Sequence, residues 1–118
     1  MEASPHVLLA EDDDLVAVVL TTLLESHGFR VTMTHDGQHA LDTEAKDAAD
    51  LLVTDLRMPV MNGNELVRQI RQRRPELPIL VITGYSECTP SEEPGRLVVL
   101  HKPFPMDSVV QAVRELLE

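Results

Sequence analysis

Two adjacent carboxylates, Glu11 and Asp12, a third at Asp55, the hydroxyl of Thr83 and the ammonium of Lys102 are the side chains of this sequence whose types could together do chemistry. Each stands at the end of an apolar run. Glu11 and Asp12 follow Val7 to Ala10, Asp55 lies just beyond Leu51 to Val53, Thr83 ends Ile79 to Ile82, and Lys102 follows Leu97 to Leu100 with only His101 between. Three carboxylates drawn together raise one another's pKa unless a cation shares the site. Magnesium suits them best, because it takes oxygen ligands, keeps several waters and is usually held by one or two protein carboxylates plus phosphate oxygens. Asp12 and Asp55 could supply those ligands, with Glu11 acting through water. A carboxylate flanked by a divalent cation and an ammonium is suited to attack phosphorus, since both positive groups neutralise charge on the phosphoryl oxygens. Asp55 is therefore the candidate phosphoryl acceptor, Lys102 the second positive centre, and Thr83 a hydroxyl for a phosphoryl oxygen.

These residues can meet only if the apolar runs are strands of one parallel sheet, whose carboxyl ends share an edge. Continuous rather than alternating apolarity is what strands covered on both faces show. A weaker run, Phe29 to Met33, is second in chain order. Between the runs lie segments of helical period: Val16, Val19, Leu20, Leu23 and Leu24; then Leu66, Val67 and Ile70; then Val109, Val110, Val113, Leu116 and Leu117. Asp13 or Asp14 is placed to cap the first of these helices and Gly28 to end it, while Asn62 precedes the next and Pro75 closes it. A weaker helix around Gln38 to Ala45 completes a β-α alternation. This predicts an α/β fold with a doubly wound five-stranded parallel sheet.

The fourth helical slot breaks the pattern. Between Gly84 and Gly95 no apolar residues recur at helical spacing, and Pro90 and Pro94 interrupt the stretch. The sequence allows at most a short or degenerate fourth helix of one or two turns, with Thr89 as N-cap and Glu92 reaching back, because Pro in a helix interior costs ~3 kcal/mol.

Bulk properties set limits. A length of 118 residues predicts one domain over residues 1–118, able to bury a core without staples. The net charge of -10 argues against direct nucleic-acid binding and against anionic membranes, leaving a protein or a cation as partner. No basic leader precedes the first apolar run, and Cys88 is alone, which suits a reducing cytoplasm. Taken singly, the acidic residues are ordinary helix caps or turn formers, and Lys102-Pro103 an ordinary loop signal. Their joint occurrence at four strand ends is the informative feature. His6, His27, His35, His39 and His101 show no metal spacing and read as surface or core-edge residues.

With these residues in view, the chain resembles the receiver domains of two-component response regulators. The resemblance is carried by residues 7–13 (VLLAEDD), 55–63 (DLRMPVMNG), 81–84 (VITG) and Lys102-Pro103-Phe104. It implies strand order 2-1-3-4-5 with five helices, and phosphoryl transfer from a histidine kinase or histidine phosphotransfer domain onto Asp55. It further implies Mg2+ held by Asp12, Asp55 and the Arg57 carbonyl, with Glu11 through water. Thr83 would switch towards the phosphoryl group, Lys102 would contact it, and the Lys102-Pro103 bond would be cis. Gly84 resembles the small residue that leaves the phosphoryl group accessible, and Arg57 and Tyr85 hold positions that tune its loss to water. The resemblance also implies a cytoplasmic protein, monomeric or weakly dimeric.

Two departures stand out. Val99 occupies the place of an aromatic residue that couples to the threonine in that family, and the stretch from Thr83 to Lys102 is short. Thr83-Gly84-Tyr85 with a degenerate fourth helix resembles the receivers of hybrid histidine kinases. Two other classes remain open at this point: a degenerate receiver that binds a partner without phosphorylation, and a phosphohydrolase of the haloacid-dehalogenase kind. The latter places a second Asp two residues after its nucleophile, where this chain has Arg57. A flavodoxin-like carrier lacks support, since no Ser/Thr/Gly-rich phosphate loop follows the first run.

Overall fold

The computed structural model describes residues 4–84 and 89–118. Nine elements follow in order: β1 (His6–Ala10), α1 (Asp14–Ser26), β2 (Arg30–Thr34), α2 (Gly37–Lys46), β3 (Leu51–Asp55), α3 (Gly63–Arg73), β4 (Ile79–Thr83), β5 (Leu97–His101) and α4 (Met106–Leu117). The strands form one parallel sheet in the order β2-β1-β3-β4-β5. The chain leaves β1 towards β2 on one side and resumes at β3 on the other, so the topological switch lies between β1 and β3.

The apolar runs become strands for the expected reason, burial on both faces. Leu8, Leu52, Ile79 and Val81 face α2 and α3, packing with Leu41, Leu66 and Ile70. Val7, Leu9, Leu51, Val53, Leu80 and Ile82 face α1 and α4, packing with Leu20, Leu24, Val109 and Val113. Fully burying a side chain of this size stabilises by roughly 1.5–3 kcal/mol. β3 and β4 run to Asp55 and Thr83, further than their apolar runs, so both polar residues end strands rather than follow them.

Helix boundaries are set by side-chain caps. Asp13 accepts the N–H groups of Leu15 and Val16, Asp36 that of His39 and Asn62 that of Glu65. Gly28 takes φ +91° just beyond α1, a left-handed conformation that glycine adopts without steric cost.

The helix count differs from the five that the resemblance implied. Four helices are present among the described residues, and residues 89–96 contain none. The capped turn expected at Thr89 is not formed: Glu92 accepts the backbone N–H of Val99 at 2.9 Å instead of reaching back. Glu93-Pro94-Gly95-Arg96 closes a turn, with Arg96 N–H donating to Glu93 O at 2.8 Å and Gly95 at φ +74°, the pattern that Pro-Gly favours. Glu93 then exchanges backbone hydrogen bonds with Leu97 along the outer edge of β5. Arg71 of α3 pins this connector by donating to Glu93 (3.2 Å) and to the carbonyl of Leu77 (2.6 Å). A buried-edge role thus falls to backbone and ion pairs where an amphipathic helix has no apolar residues to form. Cys88 and Tyr85 lie outside the described residues.

Candidate phosphoacceptor site

At the carboxyl edge of the sheet, Glu11, Asp12 and Asp55 each bring one carboxylate oxygen within 4.8 Å of the others. Glu11 and Asp55 are buried and Asp12 is exposed. Asp55 Oδ1 accepts the backbone N–H groups of Leu56 (2.6 Å) and Arg57 (3.4 Å), while Oδ2 lies 3.4 Å from Lys102 Nζ. One oxygen is thereby fixed by the backbone and the other is turned to the ammonium. Thr83 is fully buried at the end of β4, and its carbonyl accepts the Lys102 N–H at 2.7 Å, which ties the lysine to the strand beside Asp55. The Lys102-Pro103 peptide is cis. The sequence reading therefore placed Glu11, Asp12, Asp55, Thr83 and Lys102 on one edge correctly. Arg57 and Gly84 are exposed beside it, and Val99 is half-buried against the α2/α3 side of the core. Tyr85 lies outside the described residues.

The electrostatics ask for a cation. Among the described residues, three carboxylates face one ammonium, and Lys102 is itself 37% exposed and so screened. Glu11 Oε1 is buried and, among the described residues, without a hydrogen-bond partner, although Oε2 accepts the Asp13 N–H at 3.2 Å. Burial pushes the Glu11 carboxyl up to about 7; the Asp13 N–H opposes this, the Asp55 charge adds to it and Lys102 opposes it again. An orphaned buried oxygen inside an all-oxygen donor set fits a hard divalent ion.

A pH dependence follows with a definite sign. The folded Glu11 carboxyl titrates near 7 against an ordinary value of 4.5, so the metal-free folded protein retains a proton that the unfolded chain loses. Its contribution is fully present below about pH 4.5 and is lost as pH rises through about 7. Urea unfolding in EDTA should show stability falling over that window, and Glu11→Gln should flatten the fall. Added Mg2+ should reverse it by favouring the ionised carboxylate. A Glu11→Gln profile identical to that of the parent would remove Glu11 as the cause.

Two features escaped sequence reasoning because they depend on backbone approach. A Cβ on Gly63 would lie 2.1 Å from Asp55 O and 2.8 Å from Leu56 Cα, so the first turn of α3 sits directly on the backbone that carries the acceptor. Gly63 N–H also donates to Leu56 O at 2.9 Å. In the loop before it, Met61 N–H donates to Pro59 O at 2.7 Å around Val60 at φ +68°, a strained γ-turn that a β-branched residue rarely adopts. Gly37 secures this loop by donating to Met61 O at 3.0 Å, in a place where a Cβ would come within 2.4 Å of that oxygen. The Asn62-Gly63 pair signals only a helix start. Which backbone lies beneath it is decided by the fold.

A doubly wound parallel sheet with an aspartate, a lysine and paired acids at its carboxyl edge is suited to binding a divalent cation and an anion beside it. The response regulator receiver domain family matches residues 7–114, and the chain belongs to it. The chain is 38% identical to the response regulator MprA of Mycobacterium bovis, over 97% of this chain and 51% of that protein. It is 32% identical to the C4-dicarboxylate transport transcriptional regulatory protein DctD of Pseudomonas aeruginosa, over 99% of this chain and 26% of that protein. It thus spans about half the length of the one relative and about a quarter of the other. Among solved structures, the receiver domain from the hybrid histidine kinase CckA superposes with a TM-score of 0.81 at 28% identity, covering 96% of this chain and 99% of that one. The chemotaxis response regulator CheY4 of Vibrio cholerae gives 0.81 at 26% identity, covering 96% and 98%. The chain is a receiver domain of two-component phosphorelay signal transduction.

Proposed function

We propose that Asp55 accepts a phosphoryl group from a phosphohistidine, in a reaction that needs Mg2+. The observation that carries this reading is the placement of one Asp55 oxygen 3.4 Å from Lys102 Nζ, within a cluster of three carboxylates. Asp12, Asp55 and the Arg57 carbonyl would hold Mg2+ with Glu11 through water, and the ion would supply the positive charge that three phosphoryl oxygens need in the transition state. An Asp55 oxygen forms the new bond to phosphorus as the P–N bond to the donor imidazole breaks, and the imidazole nitrogen keeps that electron pair. Lys102 balances the incoming charge, Thr83 donates its hydroxyl to a phosphoryl oxygen, and Gly84 leaves the face open. Loss of the group is attack of water on the same phosphorus, tuned by Arg57 and Tyr85, so the domain promotes its own phosphorylation and dephosphorylation. The added charge of roughly -1.5 to -2 shifts the adjoining loops between two states for partner binding. With Val99 at β5, the coupling runs without an aromatic side chain.

The donor is a histidine kinase or a histidine phosphotransfer domain. Support comes from α1, which starts two residues after Asp12 and carries Leu15 (74% exposed), Val18 (51%) and Val19 (40%) on its outer side. Contiguous exposed apolar residues beside a reactive group mark a protein interface. The likeness to the CckA receiver supports a hybrid-kinase setting. The reading covers residues 1–118 as one receiver domain, a monomer or weak dimer without direct nucleic-acid or membrane contact. A cytoplasmic location goes with it, because the donor kinase draws on ATP.

Intact mass after incubation with acetyl phosphate and Mg2+ tests the chemistry: one phosphoryl group is expected, and none with EDTA. No gain with Mg2+ would sink the reading. A Val18→Asp variant tests the partner. It should keep acetyl phosphate reactivity but lose at least about tenfold in transfer from a phosphorylated histidine phosphotransfer domain, as removal of a buried interface contact of 1.4 kcal/mol or more would give. Equal transfer would move the docking surface elsewhere.

A further inference from the structure

The residue before the acceptor holds it in place. Thr54 is fully buried in β3, and its hydroxyl donates to the carbonyl oxygen of Asp55 at 2.7 Å. The need for that donor follows from the sheet. Leu52 N–H points to β4, where it meets Pro78 O, so alternation turns the backbone polar groups of Asp55 towards β1. The β1 register ends at the Ala10–Thr54 pair, one residue short of Asp55, and the Asp12 backbone makes no hydrogen bond to it. The Asp55 carbonyl is thus buried beyond the end of its ladder, and Gly63 closes the space over it, a Cβ there falling 2.1 Å away. A buried carbonyl without a donor is unfavourable, and turns until it finds one.

Rotation of that peptide would move the N–H of Leu56, donor of the shorter of the two bonds that fix Asp55 Oδ1. We propose that Thr54 is a positioning residue for phosphoryl transfer: by fixing the carbonyl of Asp55, its hydroxyl aims the Asp55 carboxylate along the Lys102 direction. It acts through the acceptor's backbone, on the Asp55 carbonyl rather than on the carboxylate.

The inference rests on the proposed role of Asp55, and its test separates the two. The parent, Thr54→Val and Thr54→Ser are incubated with acetyl phosphate across Mg2+ concentrations. The saturating rate constant is read by mass, and folding is read separately by urea unfolding. Val keeps the shape without the hydroxyl, and Ser keeps the hydroxyl. Thr54→Val should lower the saturating rate constant by roughly tenfold or more, as small misplacements of reacting groups do, and Thr54→Ser should stay within about twofold. A Thr54→Val protein that is less stable yet phosphorylated at the parent rate would make Thr54 merely structural and overturn the inference. A Ser variant as slow as the Val variant would overturn it too, since the hydroxyl would then not be the cause. If Thr54→Val does not fold, Thr54→Cys, a weak donor of similar volume, takes its place with the same expected loss. No phosphorylation of the parent would instead reject the role of Asp55 itself.

Discussion

Asp55→Asn is expected to gain no phosphoryl group under conditions that convert the parent, and at the same time to fold more stably than the parent without Mg2+. The two effects have one origin. The carboxylate is the proposed nucleophile, and it is also a negative charge held within 4.8 Å of two others. Asn retains an oxygen to accept the Leu56 N–H that now bonds Oδ1 at 2.6 Å, so the loop stays tied while the repulsion goes. Loss of the Lys102 contact offsets part of the gain, because that lysine is partly solvated. The net expectation is about 1 kcal/mol of added stability in EDTA, an instance of function held against stability. Mg2+ should raise the urea midpoint of the parent through binding to the folded state and raise that of Asp55→Asn less, because one ligand has lost its charge. Phosphorylation of the variant at the parent level would place the acceptor elsewhere, with Asp12 next in line by position. A variant less stable than the parent in EDTA would show that Lys102 already neutralises the site.

Gly63→Ala is the second large effect, and its direction runs against helix propensity. Alanine at an exposed helix position is favoured over glycine by about 1 kcal/mol. At Gly63, however, the added methyl would lie 2.1 Å from Asp55 O and 2.8 Å from Leu56 Cα, both backbone atoms that cannot turn aside as a side chain end would. Either α3 moves off the sheet or the Asp55–Leu56 peptide shifts. The expected cost is about 3 kcal/mol, at the upper end of overpacking effects, with loss of phosphorylation in whatever remains folded. Gly84→Ala is the control. A methyl there meets only Lys102 Cδ, at 4.0 Å, so stability should change by less than about 0.5 kcal/mol while access to the phosphoryl group narrows. Urea unfolding and the acetyl phosphate assay on both variants decide the matter. A Gly63→Ala protein as stable and as reactive as the parent would contradict the close approach.

What the sequence by itself determined is the sheet, the helices beside it and the identity of the reactive edge. Continuous apolar runs can be buried only between two layers of helix, and a parallel sheet brings every strand's carboxyl end to one side. The five residues that follow those runs were therefore bound to converge, wherever the helices settled. The absence of a regular helix over residues 89–96 was legible for the complementary reason, since a segment without an apolar face has nothing to bury. Its actual course was not. The strap formed by Glu92, Glu93 and Arg71 depends on which strand lies at the sheet edge and which helix passes nearby, contacts between residues more than twenty positions apart in the case of Arg71 and Glu93. The same limit hid Thr54 and Gly63. In the sequence, Thr54 is one polar residue at the end of an apolar run, and Gly63 one more glycine after an Asn cap. Only the tertiary structure, by ending β1 one residue before Asp55 and laying α3 over the gap, gives the hydroxyl a carbonyl to hold and the glycine a backbone to clear.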